Sequence, residues 1–133
     1  MEAAITFHLS PPLSNTQLNA LFAAAWPSHT DSDFAPVLSR SLVYVAAFNA
    51  EQLIGFVNVA WDGGVHAFLL DTTVHPGWQR RGIGTGLVQN AVVAARAAAC
   101  EWLHVDYEDH LEEFYQGCGF RLTQAGLINL RAP

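Results

Sequence analysis

From Ser14 to Trp26 the apolar residues Leu18, Leu21, Phe22 and Ala25 recur at the three- and four-residue spacing of one helix face. Ser14, Asn15 or Thr16 can cap that helix, and Pro27 ends it. Ile5 to Leu9 precedes it as a short strand stopped by Ser10-Pro11-Pro12, and Asp33 to Ser39 follows as a short helix. Three β-rich runs come next: Leu42 to Phe48, Leu53 to Trp61 and Val65 to Val74. They are separated by the turn-like Asn49-Ala50-Glu51-Gln52 and Asp62-Gly63-Gly64. Such spacing predicts an antiparallel meander, closed by His75-Pro76-Gly77.

The pattern then returns to helical period. Leu87, Val88, Ala91, Val92 and Ala95 mark one face of a helix reaching about Ala99, and Trp102 to Tyr107 is a short strand. A strand, a helix and a strand in this order imply a right-handed crossover and parallel pairing. A helix from about Asp109 to Gln116 and a terminal hairpin over Leu122 to Leu130 complete the chain. The expected fold class is α+β, a mixed and mostly antiparallel sheet flanked by helices.

Composition narrows this picture. A length of 133 residues, 51% of them apolar and 14% charged, suits one domain with a packed core, taken as residues 1–133. The six basic residues are outnumbered by twelve acidic ones, which argues against nucleic acid or an anionic membrane as partner. Cys100 and Cys118 form neither a disulfide framework nor a CxxC zinc pair. The first residues lack a signal-peptide pattern, and Arg96 interrupts the alanine-rich run before membrane-spanning length. The expectation is a soluble, reduced, cytoplasmic protein. No lysine occurs in the chain, so lysine-based catalysis is excluded.

The segment from Val74 to Gly86, VHPGWQRRGIGTG, joins a strand to a helix N-terminus. Such a junction presents unpaired N–H groups and the positive end of the helix dipole to an anion. Gly82 and Gly84 would let phosphate approach the backbone, and Arg80 and Arg81 could add charge-assisted bonds. The alternative is a tight turn with two solvated arginines. A phosphate loop of the GxxxxGK[ST] type and a GxGxxG loop are both absent, since Leu87 stands where the third glycine of the latter would be.

Gln79-Arg80-Arg81-Gly82-Ile83-Gly84 resembles the Q/R-x-x-G-x-G/A signature of the GNAT superfamily of acyl-CoA-dependent N-acyltransferases. Val74-His75-Pro76 is similar to the V-x-P that precedes it, and Phe114 to Phe120 to the downstream F-Y-x-x-x-G-F. The resemblance spans essentially the whole chain. It implies acetyl-CoA as co-substrate, with Thr72, Thr73 and Val74 along the pantetheine arm and the backbone of Gln79, Arg80, Arg81, Gly82, Ile83, Gly84 and Thr85 around the pyrophosphate. It also implies direct attack by a primary amine, from a small molecule or a peptide, with no nucleophile on the enzyme.

By the same resemblance Tyr115 is the general acid for the departing thiolate; the alternative is an aromatic packed beside Phe114 and Phe120. A general base is needed as well. Asp71 interrupts the run Ala67-Phe68-Leu69-Leu70, where a carboxylate either faces a wet cleft or makes a local cap. Asp106 and Glu108 are further candidates, whereas Asp109, Glu112 and Glu113 read as helix N-terminal stabilisers. Glu108 stands where relatives often carry an asparagine that contacts the cofactor, so that contact is not carried over. Cys118 reads as packed core and His75 as exposed. Trp26, Phe34 and Trp61 either line an acceptor pocket or pack in the core. His104, Asp106 and His110 lack a recognised ligand spacing, so no metal is expected. A non-catalytic acyl-CoA-binding module is the second reading, and the hairpin's open edge allows a homodimer.

Overall fold

In the computed structural model, which describes residues 4–132, each β-rich run becomes a strand. The strands are β1 (Ile5–Leu9), β2 (Val43–Asn49), β3 (Gln52–Trp61), β4 (His66–Val74) and β5 (Trp102–His104). They lie in one sheet in sequence order. The pairs β1–β2, β2–β3 and β3–β4 are antiparallel, and β4–β5 is parallel. The expected mixed sheet is therefore present.

Helices cover both faces. On one, α3 (Ile83–Ala97) sets Ile83, Leu87, Val88, Ala91 and Ala95 against Val45, Ala47, Val57, Val59, Ala67 and Leu69. On the other, α1 (Asn15–Ala25) packs Leu18, Leu21 and Phe22 on Ala46, Leu53 and Phe56. The alternation along β2 and β3 thus feeds two cores, which is why β3 is buried from Leu53 to Val59 without a break. Ser14 closes α1 with a full capping box: its side chain accepts from the Gln17 N–H, and the Gln17 side chain accepts from the Ser14 N–H.

The segment after α1 is pinned rather than loose. Asn19 accepts from the Ser32 N–H and donates to the Ser32 carbonyl, each at 2.9 Å. Asn15 accepts from the Phe34 N–H at 2.9 Å, just ahead of α2 (Ala35–Arg40).

Three expectations change. The strand expected over Trp102 to Tyr107 stops at His104, because β4 turns away from it there. The helix expected over Asp109 to Gln116 begins as a 3-10 turn and becomes α4 only over Glu112–Gly117. The hairpin expected over Leu122 to Leu130 does not form: Leu122, Leu127, Ile128 and Leu130 are 67% to 92% exposed. A two-stranded hairpin is marginal by itself, and the short β5 offers it no long edge to extend. The edge through which a homodimer was envisaged is therefore absent from the described residues.

Gly86 lies in the first turn of α3, over β1. A Cβ there would stand 2.9 Å from Cε1 of Phe7 and closer still to Cζ. Alanine in a helix ordinarily gains up to about 1 kcal/mol over glycine. Gly86→Ala is expected to lose roughly 1–3 kcal/mol instead, by overpacking. In urea unfolding, the double variant with Phe7→Leu should lose less than the sum of the single losses by about 0.5 kcal/mol or more.

Candidate active site

β4 pairs with β3 along its length but with β5 only from His66 to Phe68. Beyond Phe68 its other edge opens, so backbone N–H and C=O groups face a cleft between β4 and the chain that follows β5. A bulge accompanies the opening. Val57 of β3 stands opposite both Asp71 and Thr72, between the pairs Asn58–Leu70 and Phe56–Thr73. Asp71 takes the left-handed conformation, φ 59°, which aspartate tolerates better than most residues.

Side chains hold the bulge from the α1 side. Thr73, 2% exposed, donates from Oγ1 to the Asp71 carbonyl at 2.8 Å and accepts from Trp26 Nε1 at 3.3 Å. Across the strand, buried Asn58 accepts from the Ser41 hydroxyl. Thr73 and Asn58 are the buried polar side chains among the described residues, and both border the bulge. The Asp71 residue is exposed, yet its carboxyl loses enough water that burial raises its pKa.

The glycine-rich turn follows β4 directly. His75 caps a 3-10 turn over Pro76–Trp78, accepting from the Gly77 N–H at 3.0 Å. His75 is accordingly half-buried rather than exposed, since the cap draws its ring inward. The Arg81 guanidinium lies 4.8 Å over the Trp78 ring, while Gln79, Arg80 and Arg81 are exposed. Gly82 then enters α3 in the left-handed region at φ 79°.

No side chain caps α3. The Gly86 N–H to the Gly82 carbonyl, 3.0 Å, is where the helical ladder begins, so the N–H groups of Ile83, Gly84 and Thr85 precede it. These are the groups a pyrophosphate would use, and the observation fits CoA. The Ile83 side chain is buried in the α3 core, leaving its backbone for an anion. Gly84 has a packing role that the sequence reading did not assign: a Cβ there would come within 3.2 Å of Phe114 in α4.

Tyr115 lies on α4 against β4. It is 6% exposed, stacked on Tyr107 with centroids 4.9 Å apart, and set edge-on to Phe114 and Phe120. Burial raises its pKa, a side-chain interaction with Thr72 lowers it in part, and the nearby Cys118 and Asp106 raise it further. Tyr115 therefore keeps its proton at neutral pH, and it meets β4 at the bulge. Cys118 is half-buried against the same core, its pKa raised by desolvation.

Of the other candidates, Glu108 faces His110 at 3.5 Å with both side chains exposed. His104 bonds His66 at 2.8 Å and stacks on Phe68. Among the described residues, no group of three or more His, Cys, Asp or Glu is placed to hold a metal. None of their helices is long and apolar enough to cross a membrane. Trp26 is half exposed beside the bulge, whereas Phe34 packs against Phe22 and His29. Trp61 sits at the opposite end of β3–β4. Sequence reasoning missed the bulge and the Thr73–Trp26 bond; the only local signal was a lone aspartate in an apolar run.

A splayed fourth strand with a bulge, leading into an uncapped glycine-rich helix, defines an acyl-CoA-dependent N-acyltransferase fold. The acetyltransferase (GNAT) family profile matches residues 13–120, and the chain belongs to that family. A GNAT family acetyltransferase of Streptococcus pneumoniae superposes with a TM-score of 0.80 at 24% identity, covering 96% of this chain and 100% of that one. An aminoglycoside N-acetyltransferase in complex with CoA superposes at 0.76 with 16% identity, covering 98% and 97%. The probable acetyltransferase TAP2 of Glycine max is 23% identical over 121 residues, 83% of this chain and 49% of that protein. The chain thus spans about half the length of that relative.

The position of Asp71 has a consequence for stability. Because its folded pKa is raised, the folded state binds a proton more tightly than the unfolded state does between 3.8 and the raised value. Stability then falls as pH rises through that window, and the loss is fully present above it. Asp71→Asn removes this term and also suits the left-handed backbone. The variant is expected to melt higher than the parent at neutral pH, with the difference shrinking below pH 3.8, as followed by thermal melts across pH.

Proposed function

We propose that this chain, acting as one domain, transfers the acetyl group of acetyl-CoA to a primary amine by direct attack. The observation that carries the reading is the meeting of Tyr115, Thr72 and the bulged, unpaired stretch of β4 just before the uncapped start of α3. Acetyl-CoA supplies the activated acyl group as a thioester. The backbone of Gln79 to Thr85 receives its pyrophosphate, supplemented by Arg80 and Arg81. The open edge of Thr72, Thr73 and Val74 receives the pantetheine amides.

In the step itself a C–N bond forms and the C–S bond breaks. Asp71 takes the proton that the attacking nitrogen loses, directly or through water; its raised pKa brings it nearer the working range of a general base. Tyr115 gives its hydroxyl proton to the departing sulfur. Burial suits it to this role, because a buried tyrosine is held in the protonated form. The acceptor is an amine of a small molecule or a peptide, and the expected setting is the cytoplasm.

Two measurements test this reading. Acetyl-CoA should raise the melting temperature, since it binds the folded state, and NAD should do so far less; equal stabilisation by NAD defeats the assignment. Tyr115→Phe keeps the ring and its aromatic contacts while removing the proton. Single-turnover acetyl transfer should fall by roughly 10²-fold or more with acetyl-CoA affinity little changed. An unchanged single-turnover rate would leave Tyr115 as a packing residue.

A further inference from the structure

The bulge at Asp71–Thr72 resets the phase of β4. In a regular strand residues three apart point to opposite faces. With the extra residue, Leu70 and Thr73 face the same side: Leu70 pairs with Asn58, Thr73 with Phe56, and Phe56 lies in the α1 core. Phe68, two residues before Leu70, shares that face. Thr73 is covered there, but the residues before the bulge are not: Phe68 is 40% exposed and Leu70 37%. Trp26, 48% exposed, is anchored at the bulge by its bond to Thr73. Apolar surface therefore runs from Trp26 along β4, with Asp71 in the bulge between Leu70 and Thr73.

Charge along this strip is sparse. Residues 41–79 contain no arginine, and the chain has no lysine, so β2, β3 and β4 carry no permanent cation, and their histidine, His66, is engaged with His104 at the far end of β4. The carboxylates are equally few: Asp62 is turned to the Gly64 N–H at 2.7 Å, and Glu51 lies in the β2–β3 turn. Of the carboxylates on these three strands and their turns, Asp71 is the one left for an amine; Asp106, near Tyr115, belongs to the chain after β5. A polycation would need several.

From this we infer that the acceptor is a monoamine borne on an apolar body, its nitrogen at Asp71 and its aromatic or alkyl group along Trp26, Leu70 and Phe68. The inference rests on the acetyltransferase reading and narrows it. It makes Leu70 and Phe68 specificity residues, and Trp26 the side chain that joins the strip to the bulge.

The test compares 2-phenylethylamine, ethylamine, spermidine and an aminoglycoside. Binding to the CoA-saturated protein is measured by calorimetry, and acetyl transfer by thiol release. Phenylethylamine should bind and react roughly 10-fold or more better than ethylamine, as burial of a phenyl group allows, and spermidine should not exceed ethylamine. Leu70→Ser and Phe68→Ser should each reduce the phenylethylamine-to-ethylamine ratio by about threefold or more, with acetyl-CoA binding as the check that each variant folds. Preference for spermidine or the aminoglycoside, no binding of any amine, or an unchanged ratio in both variants overturns the inference. Preferential phenylethylamine binding without turnover supports it and defeats the catalytic reading instead.

Discussion

A strand that loses one neighbour halfway along its length must still satisfy its N–H and C=O groups, and this constraint organises the molecule. β4 keeps β3 throughout but leaves β5 after Phe68. The freed edge is tolerable only if water or a ligand serves it, since unpaired backbone groups are costly inside a protein. The bulge absorbs the change of direction. Thr73 answers one of the disturbed carbonyls with its own hydroxyl and passes the load to Trp26, the C-cap of α1. A kink in one strand is thereby tied to the residue that caps the end of the first helix.

The cleft between β4 and the chain after β5 is held open by apolar packing on its far side. Gly84, Val74 and Phe114 meet where α3, β4 and α4 converge, and the absence of a Cβ at Gly84 lets them do so. Tyr115, one residue further along α4, is brought to β4 by that same contact. Asp71 and Arg80 both carry positive φ angles within this short stretch. Strain of this kind persists where surrounding structure over-determines it, and here two cores and a polar chain do so.

Much of the fold was legible because hydrophobic period fixes elements directly. Ile5–Leu9 was read to the residue, and the meander to within one residue at each strand end. The terminal hairpin misled for the opposite reason: Leu127, Ile128 and Leu130 have strand-like character, but pairing depends on a partner edge that no local pattern records. At the site, the glycine-rich turn was legible as a strand-to-helix junction, whereas the packing of Gly84 against Phe114 and of Gly86 against Phe7, far off in sequence, was not. Asp71 was legible as an anomaly only. Its left-handed backbone is braced by Thr73, whose bond to Trp26 spans 47 positions.

The two long helices show what the site gives up. At α1 the chain spends a serine and a glutamine on a complete capping box, satisfying donors that would otherwise need water. At α3 it uses Gly82 and leaves the first donors uncapped. A serine or aspartate at that cap would gain only a few tenths of a kcal/mol over glycine, and the left-handed φ of 79° would strain it. An aspartate would also place negative charge at the site proposed for the pyrophosphate. Donors left free at one helix start, beside a full capping box at the other, are what an anion-binding role predicts. Trp78 under Arg81 and the cap from His75 stiffen the approach to that turn without filling it. Order is supplied up to the edge of the cradle, and the last contacts are left to the ligand.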